Sequence, residues 1–200
     1  MTPIETAQKY NKISDTYQKD LKESDYGLRQ IKQAISFTKN KKKALDVGCG
    51  VGGRIINELL NSNFDIKGID VSVSMLDLAK QSHENVSFEN ADICTWQSDE
   101  RFDLIVAWDS LFHLPLGAHK NVINKLSNFL EEDGILIYTF GDDIGEHVSS
   151  WHDDTFYYSS IGINENIKTL IDNSLKIMHL ELDQYPQRHV YTIVKKEKNI

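Results

Sequence analysis

KALDVGCGVGG, residues 43–53, is a short apolar run that breaks into glycines at 48, 50, 52 and 53 and continues into the helical pattern RIINELL. The glycines answer three physical needs. A tight strand-to-helix turn asks for positive φ, a ligand must come close to the backbone, and free N–H groups at a helix start attract an anionic group. Such a turn takes small charged ligands. NAD enzymes use a related one, and some turns of this kind only pack a helix on a strand, so the residues around it carry the rest of the argument.

Outward from that turn, the chain after Lys43 alternates short apolar runs with longer amphipathic stretches, the pattern of parallel strands joined by crossover helices. Strands are predicted at 44–47, 66–70, 86–89, 102–107 and 135–140, with helices at 52–60, 74–82 and 118–130. The class is therefore α/β. At the end, 175–182 and 190–195 are strand-like runs joined by the turn-prone Asp183-Gln184-Tyr185-Pro186-Gln187. That leaves no room for a crossover helix, so the two are expected to pair antiparallel. Before the core, 2–21 and 26–38 read as helices, the second carrying Leu28, Ile31, Ala34 and Ile35 at helical spacing. Residues 1–40 are thus expected to form a helical cap on the same domain as the core, 41–200.

The chain has 200 residues, 40% of them hydrophobic, which suits one domain with a sizeable core. Its longest apolar stretches, 102–107 and 134–140, are too short to cross a bilayer, and the polar amino end lacks a signal-peptide pattern. A cytoplasmic protein with no membrane partner is predicted. Cys49 and Cys94 have neither CxxC spacing nor a nearby histidine cluster, so no disulfide or zinc site is expected. A formal charge of -8 argues against broad binding to nucleic-acid backbones. The one basic run, 39–43, reads as a solvated lead-in to a buried strand. Monomer and homodimer both stay open.

Asp70 ends the second predicted strand about twenty residues after the glycines, where a carboxylate can accept hydrogen bonds from both hydroxyls of a ribose. A helix cap or strand-end turn would explain it as well. Asp46 stands two residues before Gly48, and a carboxylate so placed would repel a pyrophosphate. A cationic nucleoside suits both. S-adenosylmethionine has the sulfonium, α-ammonium, carboxylate and ribose that these features ask for, and no phosphate.

At this point the sequence resembles the class I S-adenosylmethionine-dependent methyltransferases, whose first motif is similar to LDVGCGVG at 45–52. The likeness continues in GIDVSVSML at 68–76, NADI at 90–93, FDLIVAWDSLFHLP at 102–115 and EEDGILIYTF at 131–140. It implies a Rossmann-like three-layer sandwich, with a seven-stranded, mostly parallel sheet ending in an antiparallel hairpin. It also implies that Gly48, Cys49 and Gly50 hold the methionine part, with Asp46 near its ammonium and Trp108 beside it. Asp70 and Val71 would meet the ribose, Met75 would flank the adenine, and Asp92 and the N–H of Ile93 would meet the adenine edge. Tyr10 and Tyr17 would close over the cofactor. The asparagine-proline-proline-tyrosine type motif of many nucleic-acid and protein amino-group methylases is absent, that place reading WDSLFH at 108–113. A small-molecule acceptor, methylated at oxygen, nitrogen or sulfur, is therefore expected.

Several residues have plainer readings. Met75 sits where a helix needs a core residue, Asp92 serves as a turn residue, and Tyr10 and Tyr17 have a spacing that also packs a helix. His113, just past the fourth strand, is the best-placed general base if the acceptor is a hydroxyl, and it can equally fix its loop through the backbone. Asp109 is a weaker candidate for base. GDDIGEHVSSWHDDTFYYSS, 141–160, follows the fifth strand at the ligand-binding edge and is expected, with the amino-terminal helices, to form the acceptor pocket or to cover the sheet. Its aromatics suit an aromatic or cationic acceptor. His147, His152, Asp153 and Asp154 hint at a metal, but no helical spacing holds them in register, and none is expected. Two rivals stand beside the methyltransferase: a non-catalytic protein that only binds the cofactor, and an NAD-dependent oxidoreductase, against which Asp46 and NADI speak.

Overall fold

A computed structural model describes residues 1–184, 186 and 188–198. Two helices lead, α1 (Pro3–Leu21) and α2 (Leu28–Phe37). The core alternates β1 (Lys43–Val47), α3 (Arg54–Asn61), β2 (Asp65–Asp70), α4 (Val73–Ser82), β3 (Ser87–Asn90), β4 (Phe102–Ala107), α5 (His119–Phe129) and β5 (Leu130–Gly141). A hairpin of β6 (Ile144–Trp151) and β7 (Asp154–Ile161) follows, then α6 (Gly162–Asp172), β8 (Leu175–Leu182) and β9 (His189–Lys196). Seven strands form one sheet in the order β3-β2-β1-β4-β5-β9-β8, and β6-β7 form a separate two-stranded sheet. Strands β1 to β5 run parallel, while β9 pairs antiparallel with both β5 and β8.

The alternation of side chains along each strand produces the layers. Leu45, Val47, Ile105 and Ala107 point into a cluster completed by Val122, Ile123 and Leu126 of α5 and Leu170 of α6. Their neighbours Ala44, Leu104 and Val106 face the other side, against Ile31, Ala34 and Ile35 of α2 and Ile56 and Leu59 of α3. All six residues of β4 are buried, as a central parallel strand covered on both faces must be.

The helices begin where their sequences provide caps. Thr2 and Glu5 form a reciprocal capping box at α1, with Pro3 in the first turn, and Ser72 accepts the Met75 N–H at the start of α4. The expected strands and helices of the core are present, with ends moved by a few residues. Two elements lie outside the sequence reading. Residues 144–161 form a hairpin whose two-residue turn, His152-Asp153, has both φ values positive, 48° and 58°. Residues 162–172 form α6. The turn expected between the last two strands includes Tyr185 and Gln187, which lie outside the described residues.

Candidate active site

The carboxyl ends of β1, β2 and β4 meet at the point where strand order reverses, between β1 and β4. At that point the glycine turn is pinned to the sheet. The N–H groups of Gly48 and Cys49 donate to the Ile69 carbonyl at 2.8 and 3.1 Å, and the Ser110 hydroxyl donates to the Val47 carbonyl at 2.7 Å. Gly48 has φ +74°, and a Cβ there would lie 2.4 Å from Ser110 Cβ. Gly50, at φ +54°, is uncrowded: a Cβ there would meet only the Tyr17 ring at 3.8 Å, an ordinary van der Waals contact.

The Asp70 carboxylate joins this turn to the next. Oδ2 accepts the Gly50 N–H at 2.9 Å and Oδ1 accepts the Ser72 N–H at 2.8 Å. Burial raises its pKa, and the backbone donors work against that rise. Asp46 is 2% exposed, and among the described residues no hydrogen-bond donor reaches its carboxyl. Burial, and then the Asp70 charge, push its pKa up to about 7. The Arg54 charge offsets part of that rise, and a hydrogen-bond donor at the carboxyl would relieve the rest.

One cavity brings together most of the residues the sequence singles out. Tyr10, Tyr17, Gly48, Gly50, Asp70, Val71, Met75, Asp92, Ile93, Trp108 and His113 all line it. Asp46 and Cys49 sit behind the turn instead, on an adjoining cleft shared with Tyr17, Gly48, Trp108 and Asp109. Burial drives the Cys49 thiol far above its ordinary pKa, so it is an uncharged packing group. The plainer roles are present too: Met75 is buried, Asp92 Oδ1 accepts the Cys94 N–H at 2.8 Å in a turn, and Asp70 caps the Ser72 turn. Each leaves the same side chain facing the cavity. The loop carrying Asp92 and Ile93 is held from below by Lys125, whose ammonium donates to the carbonyls of Ile93, Cys94 and Trp96 at 2.9 Å each.

Both nitrogens of His113 are occupied. Nδ1–H donates to the Tyr157 carbonyl at 2.8 Å, and Nε2 accepts the Tyr10 hydroxyl at 2.8 Å. Burial lowers its pKa to about 4, so the ring is neutral and its lone pair is taken by Tyr10. In this arrangement His113 ties α1 and the hairpin to the loop after β4. Tyr10 and Tyr17 pack edge to face at 6.1 Å, with Trp151 of the hairpin 6.3 and 5.9 Å from them.

Residues 141–160 contribute through β6 and β7 rather than as a loop. His147 stacks on Tyr158 at 5.2 Å and His152 lies 3.4 Å from Asp20. Asp154 pairs with Lys9 at 2.5 Å, so these three residues point to different partners. Two further residues near the cavity, His189 and Asp183, have no signal in local sequence. His189 meets Asp109, and Asp183 meets His189, only because β9 inserts between β5 and β8.

A parallel sheet with a glycine turn at its switch point, two carboxylates beside that turn and a helical cover defines a nucleoside-binding α/β protein. A methyltransferase domain model matches residues 38–197, and the chain belongs to that family, as its resemblance to the class I enzymes implies. It is 29% identical over 156 residues to malonyl-acyl-carrier-protein O-methyltransferase 2 of Ilyobacter polytropus, covering 72% of this chain and 59% of the relative. It is 31% identical over 108 residues to trans-aconitate 2-methyltransferase of Rhizobium etli, covering 52% and 41%. The chain thus spans about half the length of these curated relatives. The crystal structure of magnesium protoporphyrin IX methyltransferase from Synechocystis PCC 6803 with bound S-adenosylmethionine shares the fold, with a TM-score of 0.74 at 16% identity over 98% of each chain.

Proposed function

We propose that this chain binds S-adenosylmethionine over the carboxyl ends of β1, β2 and β4 and is an enzyme that transfers its methyl group to an oxygen, nitrogen or sulfur atom of a small molecule. The observation that carries the reading is the buried Asp46 carboxyl, without a donor, beside a glycine turn whose other neighbour is Asp70. Two carboxylates there suit a ligand bearing an ammonium and ribose hydroxyls and repel a pyrophosphate, which disfavours NAD. The glycine turn fits as well, because the Gly50 backbone is uncrowded.

In this reading Gly48, Cys49 and Gly50 run along the methionine part, with Asp46 at its ammonium and Trp108 beside it. Asp70 and Val71 take the ribose, Met75 flanks the adenine, and Asp92 and Ile93 meet its edge. When bound, the cofactor supplies a methyl group already activated on a cationic sulfur, so the protein's task is alignment and exclusion of water. Tyr10 and Tyr17 of α1 cover the cavity, and the neutral His113 holds the Tyr10 hydroxyl in place. The likeness to a trans-aconitate 2-methyltransferase supports a small acceptor. No helix among the described residues is long and apolar enough to cross a membrane, and a cytoplasmic location belongs to this proposal.

The test is calorimetric titration with S-adenosylmethionine, S-adenosylhomocysteine and NAD. Binding of the first two, with none of NAD, is the expected outcome. Binding of NAD alone would overturn it, and cofactor binding without turnover of any acceptor in a broad screen would favour the non-catalytic binding protein.

A further inference from the structure

Asp109 follows β4 with φ +53°, a left-handed conformation that a non-glycine residue holds only when its surroundings impose it. Its N–H donates to Thr139 Oγ1 at 2.8 Å, and its Oδ1 lies 3.0 Å from His189 Nε2. On the far side of that ring, Nδ1 lies 2.5 Å from Asp183 Oδ1. A carboxylate accepts and never donates, so a carboxylate at each ring nitrogen requires a hydrogen on both. The geometry therefore favours the imidazolium form of His189. Burial lowers its pKa, but the two carboxylates outweigh that and leave it raised.

The array of two carboxylates and one imidazolium carries a net charge of about -1. It is a built feature. The Asp183 side chain is 5% exposed, and its Oδ2 accepts from Gln30 at 3.3 Å. The Tyr26 hydroxyl lies 3.4 Å from His189 Nε2, and the Trp108 ring lies 5.8 Å from the imidazole. Arg188, the nearest neighbour in sequence, is turned away onto Asp142 at 2.9 Å and onto Asp143. Only Asp109 of the three lines both the cavity and the adjoining cleft. Its charge reaches across them: after burial, it is the next largest cause raising the Tyr26 and Tyr158 phenols.

We propose that Asp109, held by His189 and Asp183, is the specificity-determining residue by which the cavity distinguishes the cationic sulfonium donor from its neutral thioether product. The inference rests on the S-adenosylmethionine reading above. Donor and product have the same shape apart from one methyl group, yet they differ by a full charge, and a fixed carboxylate in a partly buried cavity acts on charge more strongly than it would in water. Because the array is assembled without ligand, the discrimination costs no rearrangement on binding.

The experiment needs no acceptor. Dissociation constants are measured by calorimetry for S-adenosylmethionine, S-adenosylhomocysteine and sinefungin, which carries an ammonium in place of the methylsulfonium. Unmodified protein is expected to bind both cationic ligands about tenfold more tightly than S-adenosylhomocysteine. Asp109→Asn, which keeps the shape and tolerates positive φ, is expected to remove most of that ratio while S-adenosylhomocysteine affinity stays within about threefold. An unchanged ratio in the variant overturns the proposal. If the variant does not fold, equal affinity of unmodified protein for sinefungin and S-adenosylhomocysteine overturns it alone. Failure of all three ligands to bind unmodified protein refutes the cofactor reading itself.

Discussion

A methyl group added at Gly48 meets Ser110, and at φ +74° an L side chain is strained even where there is room. Ser110 cannot retreat freely, because its hydroxyl holds the Val47 carbonyl. Gly48→Ala is therefore expected to push the turn off β4 and to weaken S-adenosylhomocysteine binding by at least about tenfold, with a stability cost on the order of 1–3 kcal/mol. Calorimetry and thermal unfolding check the two effects separately. Asp46 yields a sharper expectation. With a pKa of about 7 it is mostly protonated at pH 6, and a ligand ammonium beside it demands the carboxylate. Binding of S-adenosylhomocysteine at pH 6 should release close to one proton, and at pH 8.5 close to none. Titration at each pH in buffers of different ionisation enthalpy reads this number, and pH-independent proton release would place the ammonium elsewhere.

Helix α1 is fastened to α4, to the hairpin and to the loop after β4. Asn11 Oδ1 accepts the Ser72 hydroxyl at 2.7 Å and the Ser74 N–H at 3.1 Å, tying α1 to the start of α4 just beyond Asp70. Lys9 reaches Asp154 on the hairpin, and Tyr10 reaches His113. Asn11→Ala removes the first without emptying a core position. It is expected to lower S-adenosylhomocysteine affinity about tenfold, to raise amide exchange over residues 3–21 and to leave the melting temperature nearly unchanged. An unaltered affinity would show that α1 does not cover the ligand. The elements differ in how far the sequence displays them. Strand β4 and residues 135–140 of β5 are legible because burial on both faces makes them continuous apolar runs, while β1 and β2 are legible beside the glycine turn and its helix. Strand β6 is exposed along its whole length, so it has no alternation, and its hairpin turns on His152-Asp153 rather than an Asn-Gly pair. Helix α6 does carry a signal, Ile163, Ile167, Leu170 and Ile171 at helical spacing. The glycine turn, Asp46 and Asp70 are local to one β-α-β unit and can be read directly. The Asp109–His189 contact spans 80 positions and exists only after β9 has entered the sheet, so no spacing rule reaches it.

At the scale of the whole molecule, buried groups with shifted pKa values shape how stability depends on pH. His113 and His119 are buried and neutral, each with a pKa lowered to about 4 by burial. The unfolded chain takes up their protons near pH 6.5 and the folded protein only near 4, so stability rises with pH across that window. Asp46 acts in the opposite sense. Its folded pKa of about 7 lies above its unfolded value of 3.8, so the folded state holds the extra proton and stability falls as pH rises between them. His189 is also raised, and its contribution is complete below its unfolded pKa and is lost as pH rises through the folded one. From pH 4 to 6.5 the two buried histidines act against Asp46 and, at the acid end, against Asp70, whose pKa burial raises while its backbone donors hold it down. Above 6.5 Asp46 and His189 are changing, the raised Cys49 and Cys94 thiols join them toward pH 9, and all of these favour the lower pH. Stability of the unliganded protein should therefore decline as pH rises above 6.5, and below 6.5 His119→Gln should lose less stability toward acid than the unmodified protein. Chemical unfolding at intervals from pH 4.5 to 9 tests this. A continued rise through pH 8 would mean that His189 is not held as an imidazolium between its two carboxylates, and with it the net charge assigned to the Asp109 array would be wrong.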